Sequence, residues 1–85
     1  MQNEQELLKR ITLDPQKLAG KPTIRGRRMS VEQVLGMLAA GETAENLLKE
    51  YPWMEPEDIS ACLLYAEKIV GSVEVTLEPA EVLTS

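Results

Sequence analysis

The chain has no histidine. That removes the commonest general base and the commonest metal-ligating side chain. It has one cysteine, Cys62, so an internal disulfide framework is excluded, as is a Cys/His zinc site within one chain. A lone thiol suits a reducing compartment. No apolar run is long enough to span a bilayer. Met1-Gln2-Asn3-Glu4 lacks the charged-then-apolar order of a secretory signal. A cytoplasmic protein without membrane contact is therefore expected. Internal repeats and low-complexity tracts are also missing. Gly20-Lys21 opens like a phosphate-binding loop, but Pro22 stands where Ser or Thr is needed and Pro15 where the first glycine is needed. No residue set pairs a nucleophile with a base. The expectation is no catalytic residue, no metal, no cofactor and no enzymatic activity.

What is present is a small, polarised chain. Eighty-five residues make one domain near the size at which a single core is marginal, and such domains often gain stability by oligomerising. Residues 1–28 hold seven basic and three acidic residues; residues 29–85 hold two basic and eleven acidic. Only the first third could offer nucleic acid a basic face.

The stretch Gly20-Lys21-Pro22-Thr23-Ile24-Arg25-Gly26-Arg27-Arg28-Met29 divides these two regions and carries four of the nine basic residues. Pro22 fits neither a helix interior nor a central strand. Thr23-Ile24-Arg25 is β-prone between two glycines. It pairs, on this reading, with Ile11-Thr12-Leu13 as a ribbon spanning 11–13 and 23–25, with Asp14-Pro15 starting the turn. Lys21, Arg25, Arg27 and Arg28 are the candidate DNA- or partner-binding residues. Two readings stand for the arginines. They are solvated or paired with the chain's own carboxylates, or they hold phosphates or partner carboxylates through the guanidinium fork.

Before the ribbon, residues 3–10 suit one or two helical turns, with Asn3 as N-cap and Glu6 at N3. After it the period becomes helical. Ser30 with Gln33 forms a capping box, and Val31, Val34, Leu35 and Leu38 make one stripe up to Gly41. Thr43 caps a second helix that Pro52 stops. Trp53 and Met54 form an apolar link into the core. Pro56 opens a third helix, with Ile59, Cys62, Leu63, Ala66 and Val70 as its buried stripe and Gly71 closing it. Helices are thus predicted near 31–40, 44–51 and 56–70. Glu57-Asp58 reads as helix-dipole complementation. Leu64 falls on the outward face with Glu57, Ala61 and Lys68. Val73, Val75 and Leu77 alternate like a half-buried strand. Leu64, Val73, Val75 and Leu77 are therefore the candidate oligomer interface, in a homodimer or higher even oligomer. The expected divisions are an N-terminal arm (1–10), a ribbon plus three-helix domain (11–71) and an extended tail (72–85). The fold class is mainly α: a three-helix helix-turn-helix core, homeodomain-like, preceded by a short N-terminal β-ribbon.

Ile11-Thr12-Leu13-Asp14-Pro15, the Gly20–Met29 stretch, Gly41-Glu42-Thr43-Ala44-Glu45, Tyr51-Pro52 and Glu57-Asp58-Ile59 resemble, in this order, the domain-of-unknown-function 433 family over roughly residues 11–70. The resemblance implies a small prokaryotic protein of homeodomain-like or winged-helix-like fold. It also implies an antitoxin-like role, binding a PIN-like nuclease toxin; the protein's own promoter DNA is a further candidate partner, which the arginines of residues 21–28 rather than the third helix would contact. The chain departs at Ala19, where a second glycine is usual, and at Arg27, where a small polar residue is usual. The alternative is a dimeric protein-interaction module without DNA binding. Glu55, Glu57 and Asp58 stand at the start of the third helix, where a helix-turn-helix reader would meet phosphates; that charge argues against ordinary helix-turn-helix reading.

Overall fold

The computed structural model describes residues 3–72. The protein is mostly helical, with a short two-stranded antiparallel sheet near its N-terminus. The element order is α1 (Glu4–Leu8), β1 (Ile11–Leu13), β2 (Pro22–Ile24), α2 (Val31–Ala39), α3 (Ala44–Glu50) and α4 (Pro56–Gly71), with a tight turn at Leu18–Gly20 between the strands, all three of its residues at positive φ.

Each of the first three helices begins where a side chain can take an orphan amide. Asn3 Oδ1 accepts from the Glu6 amide at 2.8 Å. At α2, Ser30 Oγ accepts from the Gln33 amide and Gln33 Oε1 from the Ser30 amide, both at 3.0 Å, which is the full capping box. Thr43 Oγ1 accepts from Asn46 at the start of α3. Helix α2 stops at Gly41, φ +103°, where the Gly41 and Glu42 amides bond back to Leu38 and Met37 carbonyls. That double bond pattern needs a left-handed residue, and glycine takes it without a Cβ clash.

The strands pair Ile11 with Ile24, Thr12 with Thr23 and Leu13 with Pro22. Pro22 is tolerated because it opens the strand, where the missing N–H removes little pairing. A two-stranded ribbon is marginal alone, and here the helices cover it. Ile24, fully buried, joins Val31, Val34, Leu47, Met54, Ile59 and Cys62 in one core. Truncating any of the larger ones to Ala costs on the order of 2–5 kcal/mol. No helix among the described residues is long and apolar enough to cross a membrane.

The structure corrects the expected face of α4. Ala61 is fully buried, whereas Leu63 and Val70 are exposed. Leu64 is half-buried rather than outward. Helix α1 lies against α4, and Glu4 reaches Lys68 at 3.1 Å. Leu64 sits one turn before Lys68 on that face, so α1 gives it an intrachain reason to be apolar. Gly71 belongs to the helix and Ser72 caps it, Ser72 Oγ donating to the Ile69 carbonyl. Val73, Val75 and Leu77 lie outside the described residues.

Candidate partner-binding site

The second strand ends one residue earlier than expected, because Arg25 leaves extended geometry. Arg25 and Gly26 both have positive φ, +48° and +71°, and the Arg27 amide donates to the Ile24 carbonyl at 2.8 Å. Two successive left-handed residues inside such a bond make a tight turn of the type I′ kind. The chain then doubles back: the Ile24 amide donates to the Met29 carbonyl, and Thr23 bridges Ser30. Thr12 Oγ1 accepts from the Gly26 amide at 3.1 Å, and Lys17 Nζ donates to the Gly26 carbonyl. The turn is therefore held from three sides.

A non-glycine residue at positive φ costs roughly 1–2 kcal/mol. Such a residue persists where its surroundings over-determine it. For Arg25 the surroundings are Asp58, a carboxylate with no solvent exposure on the first turn of α4. Arg25 Nε donates to Asp58 Oδ1 at 2.9 Å and Arg25 Nη2 to Asp58 Oδ2 at 2.7 Å, a bidentate fork. Arg10 Nη1 donates to the same carboxylate at 3.0 Å and to Glu55 Oε1 at 2.6 Å. The Glu55 amide supplies a fourth bond at 2.9 Å. Burial by itself would raise the Asp58 pKa; the bonds from Arg25, the Glu55 amide and Arg10 outweigh it and hold the carboxyl below its ordinary value. The hydrogen bond to Asp58 likewise raises the Arg25 pKa. No buried side-chain polar atom among the described residues lacks a hydrogen-bond partner.

Arg25 is thus committed within the chain, and Asp58 is a clamp for the ribbon rather than mere dipole complementation. Arg25 also donates to the Trp53 carbonyl at 2.9 Å. Lys21 is exposed and paired with Glu32 at 2.8 Å; it borders a different notch from Arg27 and Arg28. Arg27 and Arg28 are both exposed, and neither has a carboxylate within 4.0 Å among the described residues. The Arg27 guanidinium lies 4.6 Å from the Trp53 ring centroid. Tyr51 stands beside that ring, centroids 6.3 Å apart. Together Arg27, Arg28, Met29, Tyr51 and Trp53 line a notch of about 270 Å³. Of the four cations expected at one site, the structure gathers Arg27 and Arg28 at this notch; Arg25 also reaches Trp53, its guanidinium 6.0 Å from the ring centroid, but is committed to Asp58, and Lys21 lies apart. Tyr51 and Trp53 carried a sequence signal only as core residues.

The geometry supplies the Arg27 guanidinium over the Trp53 face, with Arg28 lining the same notch. That suits carboxylates or phosphates, with flat or apolar groups packed against the rings. Cys62 is fully buried, and desolvation, with the nearby Asp58 charge, pushes its thiol up to about 12, away from the thiolate form a nucleophile needs.

The family described as "Protein of unknown function (DUF433)" matches residues 11–66. An uncharacterized protein of Sinorhizobium fredii, y4eO, is 37% identical over 57 residues, which is 67% of this chain and 26% of that protein. The chain therefore spans about a quarter of the length of this relative. No solved structure matches the chain.

Proposed function

The chain belongs to this family of unknown function, residues 11–66 matching it, and from that premise we propose that it is a cytoplasmic, non-enzymatic binding protein of the antitoxin type. Its Arg27–Arg28 turn engages acidic side chains of a nuclease-type toxin. In this proposal α2, α3 and α4 serve as a homeodomain-like frame of the helix-turn-helix kind. One observation carries the reading: two adjacent arginines on a clamped turn have no carboxylate partner among the described residues, although the chain is acidic overall. A rigid turn loses little freedom when a partner neutralises it.

Promoter DNA is the second reading, favoured by the same two guanidiniums. Glu55, Glu57 and Asp58 crowd the start of α4 and would repel phosphates there, so DNA binding falls to the turn rather than to a recognition helix. The test is a pull-down of the purified neighbouring gene product, with a gel shift on the upstream DNA beside it. Arg27→Ala should weaken capture by roughly 1–3 kcal/mol for each charge-assisted hydrogen bond it removes and leave the melting temperature nearly unchanged. For DNA, the log–log salt slope should become shallower by about one unit per phosphate no longer neutralised. Both assays being blind to Arg27→Ala and Arg28→Ala would refute the site.

A further inference from the structure

The Arg27–Arg28 notch has a property besides charge: part of its lining is apolar, and its two walls are tied together. One wall is the turn after β2, with Arg27, Arg28 and Met29; the other is the link from α3 to α4, with Tyr51 and Trp53. Arg25 joins them. Its fork is fixed on Asp58, and its Nη2 donates to the Trp53 carbonyl at 2.9 Å. Met29, only 7% exposed, and the two rings supply the apolar lining. At about 270 Å³ the notch falls below the roughly 300–1,000 Å³ of small-molecule sites and suits one side chain of a larger partner. Taking the turn as the partner-binding face, on which this step rests, we infer that the notch seats one aliphatic side chain of the partner, and that Arg27 holds the carboxylate of the residue next to it in sequence. The recognised element is a short segment with adjacent aliphatic and acidic residues.

Two observations select this element. The Arg27 guanidinium lies over the Trp53 ring, 4.6 Å from its centroid. Stacking occupies the flat face of a guanidinium and leaves its in-plane N–H groups for a carboxylate fork. No carboxylate among the described residues comes within 4.0 Å of them. The acid is therefore held at the rim, beside the notch rather than inside it. The same stacking takes up a face of Trp53, and the Tyr51 ring is inclined to it by 57° with centroids 6.3 Å apart. The two rings form no parallel slot for a flat base, which would have to displace Arg27. An aliphatic side chain needs no flat face and packs between inclined walls. Arg28, on the same rim, adds a second positive charge that favours further acidic residues in the segment. Because the walls are already joined, binding orders little of this chain.

Trp53 is the chain's only tryptophan, so intrinsic fluorescence of the full chain reads the notch directly. The probes are two acetylated, amidated hexapeptides, Gly-Ser-Leu-Glu-Gly-Ser and Gly-Ser-Glu-Leu-Gly-Ser, titrated to millimolar concentration, with single-stranded oligothymidylate beside them. The expected result is a saturable change with at least one peptide. Replacing its Leu by Ala, or its Glu by Gln, should weaken binding about tenfold in each case. Arg27→Ala should weaken it similarly, and Arg27→Lys should not restore it, because an ammonium offers no fork. Arg27 is exposed, so both variants should keep the circular dichroism of the parent. An Ala peptide that binds as well as the Leu peptide would overturn the aliphatic anchor. A Gln peptide that matches the Glu peptide would overturn the carboxylate contact. No change with either peptide would overturn the whole inference, and a change with oligothymidylate alone would do so by assigning the notch to nucleic acid. The toxin reading fails separately: Arg27-dependent capture of the toxin with silent peptides overturns this inference alone, whereas peptide binding without capture overturns the toxin reading alone.

Discussion

Asp58→Asn removes one charge and keeps the shape. The carboxylate accepts four bonds, two from Arg25, one from Arg10 and one from the Glu55 amide. An amide has one acceptor oxygen, and its NH₂ must face groups that are all donors. Two charged hydrogen bonds disappear, each worth roughly 1.5–3 kcal/mol. The released guanidiniums can partly rehydrate, since the side chains of Arg10 and Arg25 are 18% and 31% exposed. The expected loss is therefore near the low end for a broken buried pair, about 3 kcal/mol. In a domain of this size that lowers the melting temperature by roughly 12–24 °C. Thermal unfolding followed by far-ultraviolet circular dichroism at pH 7 measures it. The pH dependence gives an independent check. The folded state holds the Asp58 pKa below the ordinary 3.8, against the burial that would raise it. The unfolded chain thus binds the proton more tightly, so this stabilisation is complete above the ordinary value and is lost as pH falls through the depressed folded value. The gap between the two proteins should narrow as pH falls below the ordinary carboxyl range. A melting-temperature difference under about 4 °C at pH 7, or a gap that widens in acid, would refute the clamp.

At the turn itself, Arg25→Gly should be more stable than Arg25→Ala by about 1 kcal/mol, because both lose the fork but only glycine relieves the positive φ; urea unfolding of the pair decides it. Ala19, at φ +57°, should tolerate Ala19→Gly with a gain of up to about 1 kcal/mol, the strain relieved exceeding the added unfolded-state entropy; a lower urea midpoint would contradict this. Cys62, buried and with its thiol pushed up to about 12, should resist thiol reagents at mildly alkaline pH until the protein unfolds, as timed colorimetric labelling would show. Leu64→Glu should destabilise by about 1–2 kcal/mol by prying α1 from α4, without changing the light-scattering mass.

The local signals in the sequence were sufficient for the elements. Ser30, Thr43 and Pro56 start helices where caps and a first-turn proline should, and Gly41 stops one, because these effects act within a few residues. The strand Ile11–Leu13 follows from β-propensity and the turn beside it. What failed depends on distant neighbours. Leu64 and Ala61 looked outward because the helical period alone does not announce which other elements pack onto α4, α1 among them. The fate of Arg25 depended on a carboxylate 33 residues away. One clue was present: Asp58 stands four residues before Cys62, on the buried stripe, and a carboxylate on such a stripe requires cationic partners. Arg27 and Arg28 were legible as cations; Trp53 as their neighbour was not, since the link that carries it has no period.

The Asp58 clamp also bears on the order in which the chain folds. Its arginines lie 33 and 48 residues away along the sequence. Closing loops of that length carries an entropy cost that only later interactions offset, whereas α2 to α4 are built from near neighbours joined by short links. The helices can therefore assemble first, with the ribbon docking last onto a carboxylate already in place. Interactions made after the rate-limiting step affect the escape from the native state rather than its formation. Weakening the clamp should accordingly leave the refolding rate almost untouched and shorten the lifetime of the folded protein.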